Sequence, residues 1–194
     1  RIIDNYLYKS PILEHYVRVK LRMENNYQSF HELIPETCKI TDIGCGYGFV
    51  DYILALAAPG RRITAIDYDR KKIEVAENSM LKNECHIDFL ASDIMEYDLH
   101  NSDVFLISDM LHYLSRENQY RLLIKCVEKL NAGGKIIIRD SDTSLKQRQK
   151  GTTFSEFLST KIGFNKALNK LEFISRESIE QFADKNNLHF EIKD

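Results

Sequence analysis

"TDIGCGYGFVDYILA", residues 41–55, holds three of the chain's eight glycines, Gly44, Gly46 and Gly48, within five positions. The run before them, "KITDI" (39–43), is short and β-branched. The run after them, "FVDYILALAA" (49–58), is long, apolar and closed by Pro59-Gly60. The stretch therefore reads as strand, glycine turn, helix. Glycine at the carboxyl end of a strand opens backbone angles closed to other residues and removes the β-carbon that would hold a ligand off the main chain. The helix behind it offers free backbone N–H groups.

Working outward, the same alternation continues. "RITAI" (62–66) reads as a second strand, and residues 70–81 as a helix with Ile73, Val75, Ala76 and Met80 towards the sheet. "HIDFL" (86–90) and the almost wholly apolar "DVFLIS" (103–108) are strands three and four, the latter expected to be buried on both faces. Ser115 is placed to cap a helix over 116–130, which "NAGG" (131–134) ends by offering a small residue for a left-handed cap. "KIIIR" (135–139) is a fifth strand. Upstream, residues 11–33 read as an amphipathic helix stopped by Pro35. Beyond Asp140 the rhythm breaks into a polar, partly basic stretch. Ser175 then caps a last helix (176–187), and "LHFEI" (188–192) reads as a last strand. The rhythm predicts an α/β fold with a parallel sheet and helices on both faces.

Composition narrows the function classes. The 194 residues are 43% hydrophobic and 29% charged, with 27 Lys+Arg against 29 Asp+Glu, so no global basic field points to nucleic acid. No apolar run approaches the roughly 20 residues that span a bilayer. Polar residues interrupt the amino-terminal stretch every few positions, unlike a signal peptide. Arg1 in place of Met is expected of a processed chain or a piece of a longer one. Cys38, Cys45, Cys85 and Cys126 form no CxxC pair, which fits reduced thiols in a cytoplasmic protein.

The glycine spacing separates two kinds of ligand. A dinucleotide fingerprint is G-x-G-x-x-G, whereas here Asp42-x-Gly44-x-Gly46-x-Gly48 runs straight into Phe49. A carboxylate at 42 would repel a pyrophosphate and attract an ammonium group. Asp67 ends the second strand nineteen residues after Gly48, near the offset of a ribose-binding acid. The third strand leads to Asp93 and Ile94, and the fourth to Asp109 and Met110.

This ordered set, over about residues 38–140, resembles the class I S-adenosylmethionine (SAM)-dependent methyltransferases. The resemblance implies a Rossmann-like, doubly wound, mostly parallel sheet. It implies SAM as methyl donor, with S-adenosylhomocysteine as product. By it Asp42 sits near the methionine amino group; Gly44, Cys45, Gly46 and Gly48 form the loop that lines the cofactor; Asp67 holds the ribose hydroxyls; Tyr68 flanks the adenine; Asp93 and Ile94 meet its polar and apolar edges; Asp109 and Met110 line the cleft near the sulfonium. One domain is expected, with a lid over 1–35, a SAM-binding core over 38–140, a cap over 141–174 and a last helix and strand over 175–194. A narrower likeness joins "DNYLYKSPILEHYVRVKLR", "DMLHYL" and "IIIRDSD" to methyltransferase modules of bacterial aryl-polyene and lipid acyltransferase-linked pathways. The family's usual sheet has seven strands, and this chain stops at what reads as the sixth. An exposed edge would invite pairing with a second copy.

Within that frame His112, in "DMLHYLS", is the candidate general base, since an imidazole's ordinary pKa of about 6.5 suits proton removal from an acceptor. Its alternative is a loop histidine that packs on the cofactor. Tyr113 is a candidate to position the acceptor, or to pack. Asp140 and Asp142 with Asp109 could be read as oxygen ligands for Mg²⁺, but hydrogen-bonded or solvated carboxylates are the expectation, and no metal is assigned. Cys45 at a helix start could have a lowered thiol pKa; a small cofactor-lining residue is the preferred reading. Tyr8, Lys9, Tyr16, Arg18, Lys20 and Arg22 decorate the amino-terminal helix, mostly as a solvated face. Lys146, Arg148 and Lys150 form a soluble loop or a dock for a carrier protein or anionic lipid head. The acceptor expected is a small molecule, a lipid or a carrier-bound acyl or aryl group. Rival readings are a protein or nucleic-acid methyltransferase, a non-catalytic SAM-binding module and, disfavoured by the glycine spacing, a nicotinamide dehydrogenase.

Overall fold

The computed structural model describes Asn5, Arg18, residues 27–140 and residues 171–193. The expected amino-terminal lid is therefore described only at Asn5, Arg18 and residues 27–35, and the expected cap only from residue 171. The basic stretch 146–150 and Asp142 lie outside the described residues, as do Tyr8, Lys9, Tyr16, Lys20 and Arg22.

In order come α1 (Tyr27–Leu33), β1 (Thr37–Ile43), α2 (Phe49–Ala57), β2 (Gly60–Asp67), α3 (Arg70–Glu77), β3 (Ile87–Ala91), β4 (Ser102–Ser108), α4 (Arg116–Lys129), β5 (Leu130–Arg139) and α5 (Arg176–Lys185). The five strands form one sheet in the order β3-β2-β1-β4-β5. β1 is parallel to both β2 and β4, and β2 is parallel to β3. Strand order therefore reverses between β1 and β4, the topological switch point beside which open α/β sheets bind ligands. Val104, Phe105, Leu106 and Ile107 of β4 are all at most 1% exposed, as expected of a central strand.

Two compact units make up the chain, residues Arg1–Ile107 with Lys129–Ile137, and Ser108–Glu128 with Ile138–Asp194. In the first, Arg61 of β2 is completely buried. Its guanidinium donates to four carbonyls, those of Leu54 (3.0 Å), His31 (3.1 Å), Ile34 (2.6 Å) and Pro35 (3.0 Å). These carbonyls belong to α2 near its end and to the last turn of α1 with the residues just past it, where intrahelical donors run out. One cation thus satisfies two chain ends and meets its own need for partners. Burial lowers its pKa below the usual guanidinium range, against the small opposing effects of Cys38 and Glu36. Tyr52 is likewise buried, with its hydroxyl donating to the Ala76 carbonyl at 2.7 Å.

In the second unit, the Gln119 amide of α4 donates to the carbonyls of Leu111 (3.0 Å), Leu114 (3.1 Å) and Glu172. Ser175 caps α5 as the sequence predicts, its side chain accepting from the Ser178 N–H at 3.2 Å.

Three expectations need correction. The helix predicted over 70–81 stops at Glu77, and Met80 is 56% exposed rather than turned to the sheet. Asn78 breaks the helix by turning its side-chain amide back onto the Glu74 carbonyl (2.7 Å), while Asn5 takes the N–H groups of Met80 (2.9 Å) and Leu81 (2.8 Å). "NAGG" does not stand between helix and strand: β5 begins at Leu130, directly after α4, and left-handed Gly133 (φ 75°) falls within it. The strand predicted over 188–192 does not form; the chain leaves α5 through left-handed Asn187 (φ 54°) with Leu188 N–H bonded back to Ala183.

Arg61→Met should lower the urea midpoint by an amount equal to at least about 3 kcal/mol, because four buried carbonyls lose their donor together. Equilibrium unfolding of the two proteins measures it.

Candidate active site

The glycine loop is held by the strand beside it. Gly44 and Cys45 N–H both donate to the Ile66 carbonyl (2.8 and 3.1 Å), and Gly46 N–H donates to Asp67 Oδ2 (2.9 Å). Asp67 Oδ1 accepts from Asp69 N–H (2.8 Å). Each oxygen keeps a further lone pair, so the carboxylate can still accept two hydroxyls. Gly44, Gly46 and Gly48 all have positive φ, at 83°, 59° and 73°.

The loop glycines serve different ends. A β-carbon at Gly46 would meet nothing within 4 Å, so its left-handed, bare backbone faces open space. A β-carbon at Gly48 would lie 2.5 Å from the Phe89 ring and 3.2 Å from the Ala76 β-carbon. Gly48 lets α2 close onto β3 and α3, whereas Gly46 leaves room for a ligand.

Beneath the loop the polar groups are acidic. Asp42 is 3% exposed and Asp51, in the first turn of α2, is wholly buried. Neither Asp51 oxygen receives a hydrogen bond from any donor. It faces the Asp42 carboxyl, and two carboxylates cannot bond to one another until one takes a proton. Burial first, then the negative charge of Asp51, holds Asp42 well above the usual carboxylate range. Burial also raises Asp51. The same surroundings push the Cys45 thiol well up, by burial and then by Asp51, Asp42 and Asp67. The lowered thiol pKa that a helix start can give is therefore not realised.

The remaining positions of this unit are more open. Tyr68 is 55% exposed. Asp93 is exposed and its carboxylate accepts from Met95 N–H at 2.8 Å, while Ile94 is buried at 9%.

In the second unit, Asp109 leaves β4 in a left-handed conformation (φ 53°), and its carboxylate pairs with the Arg139 guanidinium at 2.6 Å. Met110 precedes a single 3₁₀ turn, Leu111–Tyr113. His112 on that turn is 1% exposed. Asp140 holds it twice: Oδ2 accepts the backbone N–H (3.2 Å) and Oδ1 meets ring Nδ1 (2.7 Å). An ionised carboxylate only accepts, so Nδ1 carries the hydrogen and Nε2 is the ring's basic atom. The imidazole stacks on Phe173 (centroids 5.0 Å, planes 29° apart), with Tyr113 at 4.4 Å.

The fold agrees with that of known proteins. A family model described as "Methyltransferase domain" matches residues 40–134. Over that span the chain is similar to the class I SAM-dependent methyltransferases. A ubiquinone biosynthesis O-methyltransferase of Rickettsia conorii is 28% identical over 140 residues, 72% of this chain and 47% of that protein. An O-methyltransferase family 2 protein of Planctomyces limnophilus, solved with apigenin, superposes with a TM-score of 0.67 at 18% identity, over 88% of this chain and 54% of its own. Human N-acetylserotonin methyltransferase, solved with SAM, gives 0.64 at 18% identity, over 90% and 49%. The chain thus spans about half the length of the relatives it matches. They speak for the methyltransferase family and not for the narrower pigment and lipid pathways.

The residues present fit that family's cofactor: bare backbone at Gly46, a ribose-ready carboxylate at Asp67 and a surplus of buried negative charge beneath the loop for a cationic arm. Asp51 and the role of Asp140 escape a reading of the sequence alone. The signal for Asp51 was an acid in the first turn of an otherwise apolar helix; that for Asp140 was an acid directly after the fifth strand.

The two glycines should separate in the test tube. Gly48→Ala should destabilise the fold by about 1–3 kcal/mol through the Phe89 clash. Gly46→Val should cost about 1–2 kcal/mol of backbone strain and abolish measurable SAM binding. Urea titration and calorimetry read the two effects.

The acid pair also sets a pH dependence for the ligand-free protein. Both folded pKa values lie above the ordinary 3.8, so the folded state binds more protons than the unfolded one. Stability from this pair is fully present below that value and is lost as pH rises through the folded range. Asp51→Asn should flatten that decline in urea midpoints taken across the pH range.

Proposed function

We propose that the protein transfers the methyl group of SAM to an oxygen of a small-molecule, lipid or carrier-bound acceptor, with His112 removing the acceptor's proton. The reading is carried by the 2.7 Å contact between His112 Nδ1 and Asp140 Oδ1 on a buried imidazole. SAM supplies an activated methyl on a sulfonium. The protein's part is to hold donor and acceptor in line and to take a proton.

Asp140 fixes the tautomer and orientation of the ring and stabilises the imidazolium that forms when Nε2 takes the proton. Phe173 and Tyr113 fix the ring plane and keep water from it. An acceptor hydroxyl gains nucleophilicity as its proton leaves. An acceptor that is already anionic or a neutral amine needs less help, which is why this dyad favours a hydroxyl. The O-methyltransferases among the relatives agree with this choice of atom. Asp67 accepts the ribose hydroxyls, Gly46 lets the ligand reach the loop, and Asp42 faces the methionine ammonium.

His112→Ala should reduce kcat by about 10²–10⁴ with SAM affinity within about twofold of wild type, a difference of about 0.4 kcal/mol. Asp140→Asn should also reduce kcat, because an amide can hold the wrong tautomer. Full turnover by His112→Ala on a hydroxyl acceptor would remove the base assignment. Asp67→Ala should weaken SAM by more than tenfold, about 1.4 kcal/mol, as calorimetry would show.

A further inference from the structure

We infer that Asp51 is a positioning residue for the cofactor's amino-acid arm: it shares one proton with Asp42, and binding of the ammonium expels that proton. The inference rests on the SAM reading above. It goes beyond it in naming Asp51, which lies outside the glycine loop and the strand ends.

The geometry is that of a buried acid pair with no neutralising cation among the described residues. Asp51 is wholly enclosed, and neither of its oxygens has a hydrogen-bond donor. The charged and titratable groups that act on this cluster are Asp42 on β1, Asp67 on β2, Cys45 on the loop and Tyr52 on α2. None of them is a cation. Buried charges are ordinarily paired, as Arg61 of the same unit is with its four carbonyls. Asp51 acts on Cys45 of the loop, whose neighbour Gly46 has bare backbone facing open space. A cationic group arriving over that loop supplies the missing charge.

The proton balance follows. Without ligand, one carboxyl of the pair keeps its hydrogen and donates it to the other. With an ammonium above Asp42, the doubly ionised pair is favoured. The O–H bond of the shared proton dissociates, and the proton passes to solvent. No other bond changes. SAM should therefore bind more tightly as pH rises, by up to tenfold per pH unit in the limit of one proton released. The rise ends near pH 7.7, where a free α-amino group begins to lose its own charge.

Calorimetry tests this on the wild-type chain, at pH of about 5.5 to about 7.5, below that amino range, in buffers of differing ionisation enthalpy. SAM and S-adenosylhomocysteine should release a proton. Methylthioadenosine, which lacks the amino-acid arm, should bind without release. Asp51→Asn, whose amide donates permanently to Asp42, should bind SAM with no release and no pH slope; a folded Asp51→Asn with the wild-type slope would overturn the inference. SAM binding by the wild type without proton release would overturn it while leaving the cofactor reading intact. No binding of either adenosyl ligand would overturn both. A purely structural Asp51 would change stability and leave the proton count untouched.

Discussion

The site depends on the way β2 holds the glycine loop. One carbonyl, that of Ile66, receives two loop N–H groups, and one carboxylate, that of Asp67, receives a third. The loop backbone is left-handed at three positions and would not keep that path without such anchors. The bond from Gly46 to Asp67 therefore links two parts of one binding surface. It fixes the bare backbone at Gly46, and it orients the Asp67 carboxylate beside it. Because β1 and β2 are in parallel register from Thr37 to Ile43, that acid sits directly beside the loop in every folded molecule.

The unit that carries the loop treats its buried charges in two ways. Arg61 meets four carbonyls at the ends of two helices. Among the described residues, Asp42 and Asp51 meet other acids and no cation. Burial and their mutual repulsion raise the pKa of Asp42, and burial raises that of Asp51. The first arrangement holds two chain ends together. The second leaves buried acids facing one another.

How legible this was in the sequence varies with the range of the interaction. The alternation of runs gave all five strands, and the glycine spacing with Asp42 and Asp67 gave the family, because both signals are local. The calls that failed involve distant partners. Met80 looked like a helix position until Asn5, seventy-five residues earlier in the chain, took the N–H groups on either side of the break. "LHFEI" has the composition of a strand, but pairing needs a neighbour that periodicity does not name. Gly48 carries a packing constraint that its place in the loop does not announce: a β-carbon there would strike Phe89, on another strand. Asp51 was hidden because an acid in the first turn of a helix is ordinarily explained by the helix dipole.

Asp109 shows how the second unit aims its histidine. A non-glycine residue at φ 53° is uncommon, and aspartate is among the few that tolerate it. The strain is held by two bonds to the same residue: Asp109 N–H to the Arg139 carbonyl at 2.8 Å, and the Asp109 carboxylate to the Arg139 guanidinium. Arg139 is the last residue of β5, and Asp140 follows it directly. The contact that turns the chain out of β4 is therefore adjacent in sequence to the carboxylate that holds His112. A shift of β5 by one residue would break both. The left-handed turn sets the path to the 3₁₀ segment, the segment presents His112, and Asp140 fixes its tautomer. One strand end thus couples backbone strain to the placement of His112.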